Sequence, residues 1–106
     1  MPPIRAGTGV RIVADGRTID YGSNQVYDAN GAVDLAPAGY DFPDSRKFSI
    51  VYRIGTKHFQ GKVGPVTFVA PETAPLEICT NDNPTFLSDN RGGILFTITV
   101  NETSAR

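Results

Sequence analysis

Apolar and polar residues alternate with a period of two through much of this chain. In the run ILFTITV, Ile94, Phe96, Ile98 and Val100 fall on one side and Leu95, Thr97 and Thr99 on the other, the pattern of a strand with one buried face. In KFSIVYRI, Phe48, Ile50, Tyr52 and Ile54 alternate in the same way with Ser49, Val51 and Arg53. Shorter runs of β type are VRIVA (10–14), TIDY (18–21), KHFQ (57–60), VTFVA (66–70) and LEICT (76–80), each bounded by Gly, Pro, Asn or Asp. Asp15-Gly16, between the first two, predicts a hairpin in which Gly16 supplies the positive φ of a primed turn.

Eleven glycines and eight prolines interrupt any long helix. Seven short strands punctuated by turn residues predict an all-β fold, a small antiparallel β-sandwich, with jelly-roll-like and immunoglobulin-like topologies both open at this point. At 106 residues the chain fits one domain, residues 1–106, around a single core. The segment from Gly22 to Ser45 departs from the pattern. It is long, polar and rich in Gly, Asp and Asn, with only VDL as a candidate strand, and long loops on rigid sheets often hold a site. The ends, MPP and NETSAR, read as frayed tails.

Charge and composition narrow the function. Ten Lys and Arg stand against eleven Asp and Glu, so no long-range field favours nucleic acid or an acidic membrane. No apolar stretch approaches the ~18 residues of a membrane span and no signal-peptide pattern is visible, so a soluble domain is expected, its compartment undetermined. A single cysteine, Cys79, excludes an intrachain disulfide and a Cys-rich zinc site, and in its alternating run it reads as a buried or half-buried strand thiol. His58 is the only histidine, on a strand or hairpin, and reads as exposed or packed rather than as a catalytic base. Asp82 with Asp89, or Asp41 with Asp44, could form a carboxylate pair, but so small a sandwich seldom has the cleft a glycosidase needs. No enzyme activity is expected. Asn101-Glu102-Thr103 fits a glycosylation sequon and reads more simply as exposed tail.

The stretch TNDNPTFLSDN (80–90) is the chemically richest. Asp82, Asp89 and Asn90 offer hard oxygens at offsets zero, seven and eight, and the loop around Pro84 can turn carbonyls inward. Calcium accepts about six to eight such oxygens in flexible geometry, while zinc prefers nitrogen or sulfur and magnesium a stricter octahedron. The same residue types also make ordinary sheet-connecting turns, and the spacing is not that of an EF-hand.

Several blocks, in order, carry a resemblance: VRIVADGRTIDYG, the Pro-Asp pair in YDFPDS, FSIVYRIG, FVAPETAPLEICTND, and Asp89-Asn90 followed by a Gly pair and LFTITV. From about Gly9 to Val100 the chain resembles the calcium-dependent galactophilic lectins of the PA-IL type, bacterial lectins with a small jelly-roll-like, galactose-binding-domain-like sandwich. The resemblance implies a bound Ca2+ held by the Asp82 carboxylate, the Phe86 carbonyl, the side chains of Asp89 and Asn90, and the Tyr21 carbonyl. Two adjacent sugar hydroxyls would complete the calcium shell. Asp82, Asn83, Asp89 and Asn90 would meet a galactoside-like glycan, with Phe42, Asp44 and Ser45 alongside. Asp89 stands where the family has an asparagine, and Phe86 where it has a threonine.

Two departures qualify what the resemblance implies. The family reads a further sugar hydroxyl with a histidine and a glutamine around the Pro-Asp pair; here Phe42 precedes Pro43-Asp44 and Ser45 follows. Phe42 is expected either to stack on a sugar face or to anchor the long loop as an apolar plug. The family also begins with a strand that would precede Met1, so an unpaired edge, a gap or a homo-oligomer that completes the sheet is expected. The rival functions are an accessory carbohydrate-binding module of a larger enzyme, and a structural or assembly β-sandwich whose acidic loop binds calcium only structurally or not at all.

Overall fold

The computed structural model describes residues 3–21, 26–81 and 91–101. Among these are nine strands and no helix: β1 (Gly9–Ala14), β2 (Ile19–Asp20), β3 (Val26–Tyr27), β4 (Ile50–Ile54), β5 (Lys57–Gln60), β6 (Gly64–Val69), β7 (Leu76–Thr80), β8 (Arg91–Gly92) and β9 (Phe96–Asn101). They form three antiparallel sheets in the orders β6-β1-β9, β5-β4-β7 and β3-β2-β8.

The first two sheets face one another as a small sandwich. Phe59 of β5 stacks on Phe68 of β6 with ring centroids 4.1 Å apart, and Tyr52 of β4 meets Phe96 of β9 edge-on at 6.2 Å. Ile12 on one sheet and Ile50, Tyr52 and Ile54 on the other form the buried centre. Each such aliphatic side chain contributes about 1.5–3 kcal/mol by leaving water. The two-residue strands of the third sheet bury far less, so the face between the larger sheets dominates stability.

The alternating runs emerge as strands, with two differences at their ends. β9 keeps its partly buried face at Phe96 and Ile98, but Val100 is 40% exposed where the strand runs past the opposing sheet. In KFSIVYRI the strand begins only at Ile50, because Phe48 has φ +56, a left-handed conformation that costs about 1–3 kcal/mol in a bulky residue. β4 is also buried on both faces: Val51 is fully buried together with Tyr52. The segment from Asp28 to Ser49 covers its outer face with Phe42, which lies against Arg53 and His58; Ala29 O accepts from Ile50 N (3.1 Å), and the bond from Ala32 N to Lys47 O (2.7 Å) closes the segment on itself. Gly31, at φ +68, lies so close to the backbone of Lys47 and Ser49 that a Cβ would overlap it.

The predicted Asp15-Gly16 hairpin is not formed. β1 pairs with β6 and β9, whereas β2 pairs with β3 and β8, so the dipeptide links two sheets. Gly16 is not among the positive-φ residues. The carboxylate of Asp15 instead accepts the N–H of Arg17 (3.1 Å) and that of Leu95 (3.2 Å), turning the chain out of the first sheet. The true two-residue hairpin is Gly55-Thr56 between β4 and β5, where Gly55 has φ +60. In the long loop, VDL makes no strand pair beyond an isolated bridge from Leu35 to Arg46; Val26–Tyr27 is the strand instead. At the N-terminal end, Ile4 is buried and bridges Ala74, so the core reaches back almost to the start of the chain.

Candidate functional site

Asn81 follows β7 and is fully buried. Its side-chain oxygen accepts the Phe42 N–H (2.9 Å), and its amide nitrogen donates to the carbonyls of Phe42 (2.8 Å), Arg46 (2.9 Å) and Ser45 (3.3 Å). Its own N–H donates to Ser49 O (2.8 Å) and its carbonyl accepts from Phe48 N (2.7 Å). A carboxamide has two acceptor sites and two N–H donors, and three carbonyls and one N–H engage nearly all of them. One buried side chain thus fastens the turn 42–46 to the chain position immediately before Asp82.

Phe42 supplies the second attachment. It is buried, its ring lying 5.1 Å from the His58 ring and 6.0 Å from the Arg53 guanidinium carbon. Arg53 stands between His58 and Glu77 across β5-β4-β7 and is paired with Glu77 at 2.9 Å. That contact holds the Glu77 carboxyl below its ordinary range and keeps Arg53 charged. Of the two roles expected for Phe42, the structure has it as the anchor, its ring turned in against the sheet. Ser45 is buried as well, its N–H donating to Phe42 O (3.0 Å) and its carbonyl accepting from Ala36 N (2.8 Å). Asp44 is exposed at the outside of the same turn.

Tyr21 approaches the same region from the third sheet. Its ring is buried 4.9 Å from that of Phe48, which also stacks on Tyr27 at 5.2 Å and meets Tyr40 edge-on at 5.9 Å. With the Tyr21 ring committed to the core, any role for this residue outside it falls to its backbone. Asp20 pairs with Arg91 across β2 and β8. Tyr21 follows Asp20 directly, so it lies next to the end of β2 that pairs with the first residue of β8.

Asp82, Asn83, Phe86, Asp89 and Asn90 lie outside the described residues. Among the described residues, no three His, Cys, Asp or Glu side chains are grouped to hold a metal ion. The donor set proposed for calcium is nonetheless consistent in chemistry, consisting only of carboxylate, carboxamide and carbonyl oxygens. Its one described member is Tyr21, directly after β2. Asn81, Phe48 and the tyrosine cluster were not singled out from sequence. Asn81 ends an alternating run as any turn asparagine would, and Phe48 appears there as one more inward strand residue.

Elsewhere the described surface offers little reactive chemistry. The Cys79 thiol is half-buried and pushed up by burial, which lowers its thiolate fraction. A shallow groove of about 480 Å³ crosses the outer face of β6-β1-β9, bordered by Gly9, Arg11, Thr67, Val69, Thr99 and Asn101. It lies on the sheet opposite to the one that Asn81 extends and has no part in the arrangement around Asn81. No family model matches the sequence, and no curated protein matches it.

Proposed function

We propose that this chain is a calcium-dependent carbohydrate-binding domain of the galactophilic-lectin kind. The observation that carries the reading is the setting of the two residues that flank segment 82–90. Its leading neighbour Asn81 is bonded to the Phe42–Ser45 turn, and its trailing neighbour Arg91 is paired beside Tyr21. On this reading Asp82, Phe86, Asp89, Asn90 and Tyr21 hold Ca2+ through oxygen, and the ion supplies a charged centre to which two vicinal sugar hydroxyls bind. Asp82, Asn83, Asp89 and Asn90 accept hydrogen bonds from those hydroxyls, and Asp44 presents a carboxylate beside them. A shallow site suffices for such chemistry, and the modest affinity of one site favours ligands engaged at several copies. A galactoside-like glycan is the proposed ligand class, in a lectin or in an accessory module of a larger enzyme.

One observation favours a second reading. Phe42 and Ser45, both proposed to face the sugar, are buried, which leaves Asp44 as the exposed reader in that turn. A domain in which calcium only braces the loop would tolerate that burial. Calorimetry with calcium and with chelator separates the two. Calcium-dependent heat from a galactoside, lost in Asp82→Ala, is the expected result; heat from calcium with none from any glycan on an array favours the bracing role. Sugar binding that survives Asp82→Ala would sink the site.

A further inference from the structure

The chain contains one Asn-Gly step, Asn30-Gly31, and the fold makes use of both members. Gly31 is at φ +68, with no room for a Cβ between it and the backbone of Lys47 and Ser49. Asn30 is half-buried, and its side-chain oxygen accepts the Val63 N–H (2.9 Å), which bonds the long loop to the connection between β5 and β6. The same pair is well suited to react with itself. A glycine has no side chain to keep its amide nitrogen from the carboxamide carbon of the residue before it. In the folded chain both reacting groups are engaged elsewhere. The Gly31 N–H donates to Asp28 O (3.0 Å), the Asn30 N–H donates to the Asp28 carboxylate (2.9 Å), and the bond from Val63 holds the carboxamide.

We propose that Asn30-Gly31 is a self-modification site gated by docking of the segment from Asp28 to Ser49, and that reaction there makes undocking permanent. When the segment opens, the Gly31 nitrogen loses its proton to solvent base and bonds to Cγ of Asn30. The Cγ–Nδ2 bond breaks, and ammonia leaves after taking up a proton. The resulting cyclic imide then adds water, the only co-reactant. Opening at Cγ gives an aspartyl residue; opening at the backbone carbonyl gives an isoaspartyl residue, with the chain running through the former side chain. The isoaspartyl product lengthens the backbone by one carbon where Gly31 already has no space, and it displaces the oxygen that held Val63. The segment that loses its seat carries the Phe42–Ser45 turn bonded to Asn81, so the change reaches that turn. The inference does not depend on the proposed sugar or calcium site.

Peptide mapping by mass spectrometry tests it, following isoaspartate at position 30 in the full chain held at mildly alkaline pH. Conversion is expected in the urea-unfolded chain, and in the native chain it should be slower by about ten-fold or more. Asn81→Ala, which frees the turn 42–46, should accelerate conversion under native conditions more than Ile12→Ala, which weakens the core away from the loop. Far-ultraviolet circular dichroism shows that both variants are folded when compared. The isoaspartyl protein, separated by anion exchange through its added negative charge, should exchange its amides from Ala29 to Ser49 faster than the wild type. Asn30→Asp, which adds the same charge but keeps an acceptor for the Val63 N–H, should not. Equal conversion in native and unfolded chains overturns the proposal, as does acceleration by Ile12→Ala that matches that by Asn81→Ala. An isoaspartyl protein whose amides exchange like those of Asn30→Asp overturns the permanence of undocking.

Discussion

At the scale of single residues, Asn81 has the largest consequence in the region of the candidate site. Replacing it by Ala strands the Phe42 N–H and three carbonyls in a buried place. Asn81→Ala should destabilise the fold by about 2–3 kcal/mol in urea denaturation. It should also move the NMR signal of His58, the sole histidine, because the Phe42 ring beside it loses its tether. Tyr52 presents the opposite case: its hydroxyl is buried with no hydrogen-bond partner among the described residues. Burial pushes its pKa from 10.0 to about 12. The neutral phenol is the form the fold favours, so this contribution to stability is complete below pH 10 and is lost as pH rises through about 12. Tyr52→Phe removes the unpaired group, and is expected to leave stability at neutral pH equal or higher by up to about 1 kcal/mol. It should also diminish the loss of stability across that alkaline window, read by denaturation at a series of pH values.

At the scale of elements, the hairpin of β4 and β5 is fastened from outside the pair. Glu72 accepts hydrogen bonds from the Thr56 hydroxyl (2.6 Å) and the Thr56 N–H (3.2 Å), and these bonds hold its carboxyl below the usual value of 4.5. A depressed carboxylate stabilises above its unfolded pKa and loses that effect as pH falls through its folded one. Amide exchange of Thr56 should therefore accelerate as the pH falls below the usual carboxylate range, and Glu72→Gln should make that exchange independent of pH over the same range after correction for intrinsic rates. In the long loop, Gly31→Ala forces a Cβ into the backbone of Lys47 and Ser49 and should cost about 1–3 kcal/mol in thermal or chemical denaturation. Strand existence was legible because period-two patterning is local: KHFQ and LEICT have in the structure the bounds read from sequence. Asp15-Gly16 was misread because a hairpin needs its two flanking strands to pair. Here β1 finds better partners in β6 and β9, both six residues long, while β2 has only two residues to offer.

At the scale of the molecule, elements distant in the chain are linked in series from Asn81 outward. The loop bonds to Asn81 through Phe42 and Ser45, Phe48 bonds to it and packs on Tyr21 just after β2, and β2 in turn pairs with β8. If calcium binds there, it binds the folded state alone and raises stability by mass action, by about 2.7 kcal/mol at one hundred times the dissociation constant. A melting temperature that climbs with calcium in the wild type and stays flat in Asp82→Ala is the expected pattern.

Much of the all-β character was settled by sequence alone, since side-chain alternation, glycine and proline punctuation and chain length act locally. So was the oxygen-rich chemistry of residues 80–90, which is a property of the side chains themselves. Tertiary structure decided which strands pair, why β4 is buried on both faces, and that Phe42 turns inward. It also decided that an asparagine with no distinguishing signal of its own bonds to a turn some 35–39 residues earlier in the chain. Those outcomes depend on competition among partners far apart in the chain, and a local pattern holds no record of which partner wins.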